Sequence, residues 1–200
     1  GVIEKMGLGY EKLKEINPRL VYCSLTSFGQ DGPYRDRPAH DLNVLSISGI
    51  LDLLGHREES PIVPVVQIAG VSGSLHAVIG ILASLFSRER SGRGQCIEAS
   101  ILDSLSPFLS LVMSQYLTDR ILHRRGEPSL GGGSANYNVY RTKDGKYISL
   151  GCVEEKFWAG FCRAVNREDM IGDIHAPPPR QKEMIAAVRA IFAQRSQKEW

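Results

Sequence analysis

One histidine in the sequence is followed directly by an aspartate at the predicted entrance of a helix. His40 and Asp41 precede residues 42–54, where apolar residues recur at roughly helical intervals. The imidazole is the side chain best suited to take up and release protons near neutral pH. The pair therefore suggests a general base, and the simpler alternative is that His40 caps the helix or contacts a loop.

Two later segments also carry residue types suited to a binding or reaction site. Glu154 lies at the predicted start of a helix, where a carboxylate can be explained by the helix N-terminus alone. Gly131, Gly132 and Gly133 are consecutive, and glycine is needed where a backbone adopts positive φ or comes close to a ligand. The alternative for the three glycines is a flexible linker.

Composition excludes several classes of protein. The chain has 200 residues, of which 42% are hydrophobic and 23% charged, so a disordered or fibrous protein is excluded. The net charge is only +2 and the basic residues are scattered among acids, which argues against a nucleic-acid partner. The four cysteines show no CxxC or Cys/His spacing, so we expect no metal site and no disulfide framework.

The sequence also suggests where the protein is found. Reduced cysteines predict a cytoplasmic protein. Residues 75–86, the longest apolar stretch, are interrupted by His76, Gly80 and Ser84 and are too short to span a bilayer, so no membrane partner is expected. The chain starts without methionine and ends inside a predicted helix, and we expect it to be part of a longer protein.

The first 117 residues alternate helix and strand patterns. Helical spacing over residues 10–16 is followed by an apolar strand at 20–25, and a long helix at 71–88 is followed by a short strand at 95–99. Small residues at Gly73, Ala77, Gly80 and Ala83 predict that the long helix is central and buried. A further helix is expected over residues 101–117, and the pattern as a whole is that of an α/β domain.

The pattern changes after residue 117. Residues 118–135 are polar, basic and glycine-rich, and we interpret them as an interdomain linker with a glycine loop. Two strands at 137–142 and 146–151 flank an Asp-Gly turn, which predicts a hairpin. Helices at 154–165 and 181–193 complete a small α+β unit over residues 136–200.

Four stretches in series resemble the family III CoA-transferases, also called the CaiB/BaiF family. They are residues 7–10 (GLGY), 17–22 (NPRLVY), 28–34 (FGQDGPY) and 88–95 (RERSGRGQ). Residues 39–43 (AHDLN) and 137–145 (YNVYRTKDG) look closer to the α-methylacyl-CoA racemase branch. The resemblance implies a Rossmann-like large domain, here 1–117, with a small α+β domain and an interlocked dimer.

The resemblance also implies roles for single residues. His40, followed by Asp41, matches the histidine that exchanges the α-proton of an acyl-CoA in the racemase branch. Glu154 matches a glutamate that approaches this histidine from the small domain, and the three glycines resemble a loop that covers the thioester. Gly70 falls at the position of the family aspartate, which is the acyl-accepting nucleophile in transferases and the second acid/base in racemases.

The resemblance implies a CoA-transferase that moves CoA between an acyl-CoA and a carboxylic acid, with the thioester as substrate and no further cofactor. Gly70 cannot act as a nucleophile or as a base, so two alternatives stay open. One is an α-methylacyl-CoA racemase or epimerase that uses His40 as base. The other is a non-catalytic subunit of a heteromeric CoA-transferase, so the partner is either a second copy or a homologue.

Overall fold

A computed structural model describes residues 2–200, and their contacts divide the chain into two units. The first unit consists of two segments of the chain, one that ends at Asp52 and one that spans Ile62–Arg120. The second unit takes in Leu53–Pro61 and Ile121–Trp200. The division after Arg120 falls inside the segment interpreted as a linker, and the loop at 53–61 belongs with the second unit.

Over the described residues, the first unit contains a pair of strands and six α-helices. The strands are β1 (Tyr22–Thr26) and β2 (Cys96–Ser100). The helices are α1 (Val2–Lys5), α2 (Tyr10–Ile16), α3 (Asp41–Ser48), α4 (Ile50–Leu53), α5 (Ile68–Ser91) and α6 (Ser110–Asp119), where α4 ends at the boundary. The strands are parallel, with Tyr22 opposite Cys96 and Thr26 opposite Ser100. Parallel neighbours need a crossover, and α3 to α5 lie within it.

Helix α5 packs against both strands through its small residues. A Cβ added at Gly73 would lie 2.7 Å from Ile101 Cγ1, and one added at Gly80 would lie 3.0 Å from Ile97 Cγ2. Ser84 continues this side and accepts a hydrogen bond from Gln95 Nε2 at 2.7 Å. The close approach predicted from the glycines is therefore confirmed on this side of the helix.

The prediction that α5 is a central, buried helix is wrong for its other side. The opposite side carries large apolar side chains that are exposed: Val71, Leu75, Val78, Ile79, Leu82 and Phe86. The sequence shows apolar residues around the whole helix, so periodicity alone could not separate the packed side from the exposed one. His76, which lies on this helix, is exposed as well.

The sequence-based argument that the apolar stretch is too short to span a bilayer does not hold for α5. The helix has 24 residues, and by length and composition it could cross a bilayer. The core helix of a globular domain meets the same criteria, and the small-residue side of α5 packs against two strands. The finding is therefore weak evidence for a membrane segment.

Two predicted helices are interrupted for identifiable reasons. The helix expected over residues 42–54 is divided into α3 and α4 by Gly49, which has φ 83°. Positive φ ends a helix readily at glycine. The helix expected over 101–117 begins as a 3₁₀ segment, Asp103–Leu109, that contains Pro107 and continues as α6.

The second unit is a hairpin packed against two helices. Strands β3 (Tyr137–Arg141) and β4 (Tyr147–Gly151) are antiparallel, with Tyr137 opposite Gly151. Helices α7 (Glu155–Ala164) and α8 (Pro178–Phe192) cover them. The core centres on the buried Tyr140, Trp158 and Phe192. The hairpin and both helices confirm the prediction for this region within one to three residues.

Candidate functional site

His40 is the N-cap residue of α3, and it is exposed. Its backbone N–H donates to Asn43 Oδ1 at 2.9 Å, and its carbonyl accepts from the N–H of Asn43 at 3.0 Å. This reciprocal pairing resembles a capping box. The backbone of His40 is thus fixed by its own helix, and the residue is exposed to solvent.

Asp41 connects the starts of two helices that are distant in sequence. Asp41 Oδ1 accepts a hydrogen bond from the N–H of Gly70 at 2.8 Å, across 29 positions of sequence. Gly70 lies in the first turn of α5, where N–H groups have no partner within the helix. A carboxylate there is also favoured by the helix dipole. Asp41, which is half-buried, therefore caps α5 from outside.

Gly70 is fixed by side chains at both of its backbone polar groups. Besides the bond from Asp41, Ser74 Oγ donates to the Gly70 carbonyl at 2.8 Å. A Cβ added at Gly70 would have one heavy atom within 4 Å, Asp41 Oδ1 at 3.7 Å. The position could hold a side chain without a clash, and the carboxylate of Asp41 is the nearest group to it.

The first unit therefore brings three of the predicted site residues together. Asp41 follows His40 directly and contacts Gly70. The sequence placed these residues in one site through resemblance, but the Asp41–Gly70 hydrogen bond had no signal in the sequence. Ser74 was missed too, because a serine one helical turn after a glycine is an ordinary helix residue.

Glu154 and the three glycines belong to the second unit. Glu154 is the exposed N-cap residue of α7, and its carbonyl accepts the N–H groups of Phe157 and Trp158 at 3.0 and 3.1 Å. Its side chain makes no capping hydrogen bond. The carboxylate is therefore not used to cap its own helix, and the buried Trp158 holds the first turn of α7 in the core.

The three glycines form a hydrogen-bonded turn. The N–H groups of Gly131 and Gly133 both donate to the Pro128 carbonyl, at 2.7 and 3.0 Å. Gly132 has φ 93°, and its carbonyl accepts from Asn138 Nδ2 at 2.7 Å. A Cβ on Gly133 would collide with the backbone of Glu127. Positive φ at one glycine and close backbone approach at another explain the glycine requirement.

Cys152, two residues before Glu154, is not suited to act as a nucleophile. Burial raises the pKa of the Cys152 thiol, and the negative charge of Glu154 raises it further. Only the thiolate is a strong nucleophile, so this cysteine stays protonated near neutral pH. Among residues 2–200, no cluster of three or more His, Cys, Asp or Glu side chains is arranged to hold a metal ion.

Comparison with known proteins gives consistent results over the whole chain. The sequence profile of CoA-transferase family III matches residues 1–200. Mouse alpha-methylacyl-CoA racemase is 33% identical over 201 residues, and mouse succinyl-CoA:glutarate CoA-transferase is 30% identical over 205 residues. These alignments cover 100% of this chain but 53% and 47% of the two relatives. The chain thus spans about half the length of the curated relatives it matches.

Two further matches are a subunit of a curated enzyme and a solved structure. The beta subunit of a succinyl-CoA–L-malate CoA-transferase from Chloroflexus aurantiacus is 33% identical over 171 residues, which cover 85% of this chain and 42% of that subunit. A CaiB/BaiF family protein from Brucella suis superimposes with a TM-score of 0.80 at 28% identity, covering 100% of this chain and 53% of that one. The mixed α/β fold of the chain is therefore that of the CaiB/BaiF structures.

Proposed function

Because the chain belongs to CoA-transferase family III, we propose that it is part of an enzyme that transfers CoA from an acyl-CoA to a carboxylic acid. The observation that carries this proposal is the position of Asp41, which follows His40 in the sequence and whose carboxylate lies beside Gly70. We propose a cytoplasmic enzyme that works on the thioester without a further cofactor. The relatives' donor and acceptors make succinyl-CoA with glutarate or L-malate the first pairs to test.

Asp41 is the proposed acyl acceptor in place of the residue that Gly70 cannot supply. A carboxylate oxygen attacks the thioester carbonyl, the C–S bond breaks, and CoA leaves as the thiolate while a mixed anhydride forms on the enzyme. To do this, Asp41 must use its second oxygen or release the Gly70 N–H. It is half-buried, and a partly desolvated carboxylate is a better nucleophile than a fully hydrated one.

The substitution Asp41→Asn tests this assignment with little change in structure. The amide keeps an Oδ1 that accepts the Gly70 N–H, and it removes the nucleophile. We expect CoA transfer from succinyl-CoA to glutarate to be lost while the protein stays folded. Transfer at the rate of the unchanged protein in the Asp41→Asn variant would refute Asp41 as acyl acceptor.

A racemase or epimerase is the second candidate, and the match to alpha-methylacyl-CoA racemase together with His40 favours it. Here His40 would remove the α-proton of a 2-methylacyl-CoA, which is acidified by the thioester. The test is exchange of that proton for deuterium in heavy water, using protein expressed from its complete gene. We expect His40→Ala to abolish exchange, and exchange at an unchanged rate would exclude His40 as the base.

The likeness to a subunit of a malate CoA-transferase favours a third candidate, a subunit that needs a homologous partner for turnover. Protein purified alone would then show neither transfer nor exchange, and adding the partner would restore transfer. A homodimer is the expectation for the two candidates that act alone. Measuring both activities on the same preparation separates the three candidates.

A further inference from the structure

The hairpin of the second unit brings the glycine turn and Glu154 to the same end. The register runs from Tyr137 opposite Gly151 to Arg141 opposite Tyr147, so the tight turn at 142–146 closes one end. The chain enters β3 from the glycine turn and leaves β4 towards Glu154, both at the other end. The two predicted site elements of this unit are therefore neighbours along the hairpin's open end.

Asn136 is the residue that closes this open end. The Cys152 N–H donates to the Asn136 carbonyl at 2.7 Å, and Asn136 Nδ2 donates to the Cys152 carbonyl at 3.1 Å. In a regular antiparallel pair two backbone N–H groups would make both bonds. Here the asparagine side chain replaces one of them, so one residue binds both backbone polar groups of Cys152, immediately before the chain turns towards Glu154.

Asn136 is itself held in place by the core. It is 8% exposed, and its neighbour Ala135 is fully buried. The Ala135 N–H donates to Gln181 Oε1 at 3.0 Å, and its carbonyl accepts from Tyr140 Oη at 2.7 Å. Since these partners come from α8 and β3, the segment before β3 is anchored from two elements.

The strand that follows Asn136 also fixes the glycine turn. Residues two apart on a strand share a face, so Asn138 and Tyr140 point to the same side of β3. Asn138 binds the Gly132 carbonyl, as described above. The two asparagines thus tie the backbone before Glu154 and the glycine turn to one strand.

We infer that Asn136 is a positioning residue for Glu154, setting the path of the chain from Cys152 into α7. The inference rests on the proposed function and adds to it the part that the resemblance implies for Glu154, a carboxylate that takes part in the acid–base chemistry on the acyl-CoA. A carboxylate at a helix N-cap without a bond to its own helix depends on the backbone for its position. Small displacements of a reacting group reduce turnover strongly, whereas binding of the remote part of the substrate is unaffected.

The experiment measures α-proton exchange of 2-methylbutanoyl-CoA and CoA transfer from succinyl-CoA to glutarate with protein expressed from its complete gene. We expect Asn136→Ala to lower kcat by about 10- to 100-fold with little change in KM. In a Glu154→Gln background the same substitution should cause no further loss, because the group that it positions is already gone. If Asn136→Ala does not fold, Asn136→Leu keeps the branched shape of the side chain without its hydrogen-bond donor.

Thr142→Val is the matched control. Thr142 is a buried polar residue at the closed end of the same hairpin, and its Oγ1 donates to Asp144 Oδ1 at 2.7 Å. We expect this variant to lose thermal stability to a similar extent as Asn136→Ala and to keep the kcat of the unchanged protein. Stability loss alone therefore cannot explain a fall in kcat confined to Asn136.

The outcomes separate this inference from the proposed function. Non-additive loss in the double variant supports it. Additive loss, an unchanged kcat in Asn136→Ala, or unfolding of both Asn136 variants overturns it and leaves the proposed function standing. If Glu154→Gln leaves kcat unchanged in an active protein, neither Glu154 nor Asn136 contributes to the reaction, and the inference is overturned. A protein that is inactive in both assays overturns the proposed function together with the inference.

Discussion

The substitution Gly70→Asp is predicted to destabilise the protein at neutral pH even though the position has room for a side chain. The introduced Cβ would lie 3.7 Å from Asp41 Oδ1, so the two carboxylates would be about 5 Å apart, allowing for one more bond. At an effective dielectric constant of about 20, two unit charges at that distance repel by about 3 kcal/mol. The helix N-terminus offsets about 0.3–1 kcal/mol of this, leaving a cost of about 2–3 kcal/mol.

The loss of stability caused by Gly70→Asp should depend on pH. Repulsion raises the pKa of the introduced carboxyl above its value in the unfolded chain, so the penalty is present at pH 7 and disappears as the pH falls below about 4. The neutral variant Gly70→Asn is the matched control, since it has the same shape without the charge. Gly70→Ala should be as stable as the unchanged protein or more stable by up to about 1 kcal/mol, because alanine favours a helix.

Urea unfolding of the three variants at pH 4 and pH 7 measures these differences. Equal stability of Gly70→Asp and Gly70→Asn at pH 7 would refute the reasoning, because it would mean that the introduced carboxylate does not feel Asp41. The same protein tests function. A carboxylate destabilised by a neighbouring charge is a better acid/base at neutral pH, and we expect Gly70→Asp to raise α-proton exchange by about 10²-fold or more.

Two further predictions concern stability in the second unit. Gly133→Ala should destabilise the protein by about 1–3 kcal/mol, because the added Cβ would collide with the Glu127 backbone. Gly151→Ala is the control: its Cβ would have no heavy atom within 4 Å, so the unfolding free energy should change by less than about 1 kcal/mol. Equal losses of stability in thermal unfolding would contradict the packing argument. Burial raises the pKa of the Cys162 thiol to about 11, so the unfolding free energy should fall as the pH rises from 9 to 11. Cys162→Ala should flatten that fall, and a slope identical to that of the unchanged protein would show that Cys162 is not its source.

The helices and strands could be predicted because their signals are local. The Asp-Gly turn and the alternating residues around it predicted the hairpin, and Asn17 with Pro18 marked the end of α2 at Ile16. The interruptions at Gly49 and Pro107 needed more than periodicity, because each of these residues is also found within longer helical patterns. The exposed side of α5 had no signal at all, since an apolar side chain looks the same in sequence whether or not a neighbour covers it.

The candidate site was predicted by resemblance, and the contacts that shape it were not. The Asp41–Gly70 bond joins residues 29 positions apart, and the Asn136–Cys152 pair depends on hairpin register. Polar side chains that bind a distant backbone group have no characteristic spacing, so a single sequence cannot identify them. In the sequence, Asn136 and Asn138 are ordinary strand or turn residues. Only the structure shows that Asn136 binds Cys152, two residues before Glu154, and that Asn138 binds the glycine turn.

The two candidate acid/base residues both begin a helix, but the backbone around them is fixed in different ways. The backbone of His40 is bound by Asn43 of its own helix, three positions further on. Before Glu154, the backbone of Cys152 is bound by Asn136, which lies 16 positions away in sequence. A residue at a helix boundary has one neighbour in a rigid element and one in a loop, so its position is determined only if the loop side is also fixed. Loss of the Asn136 side chain should therefore reduce turnover more than it reduces stability.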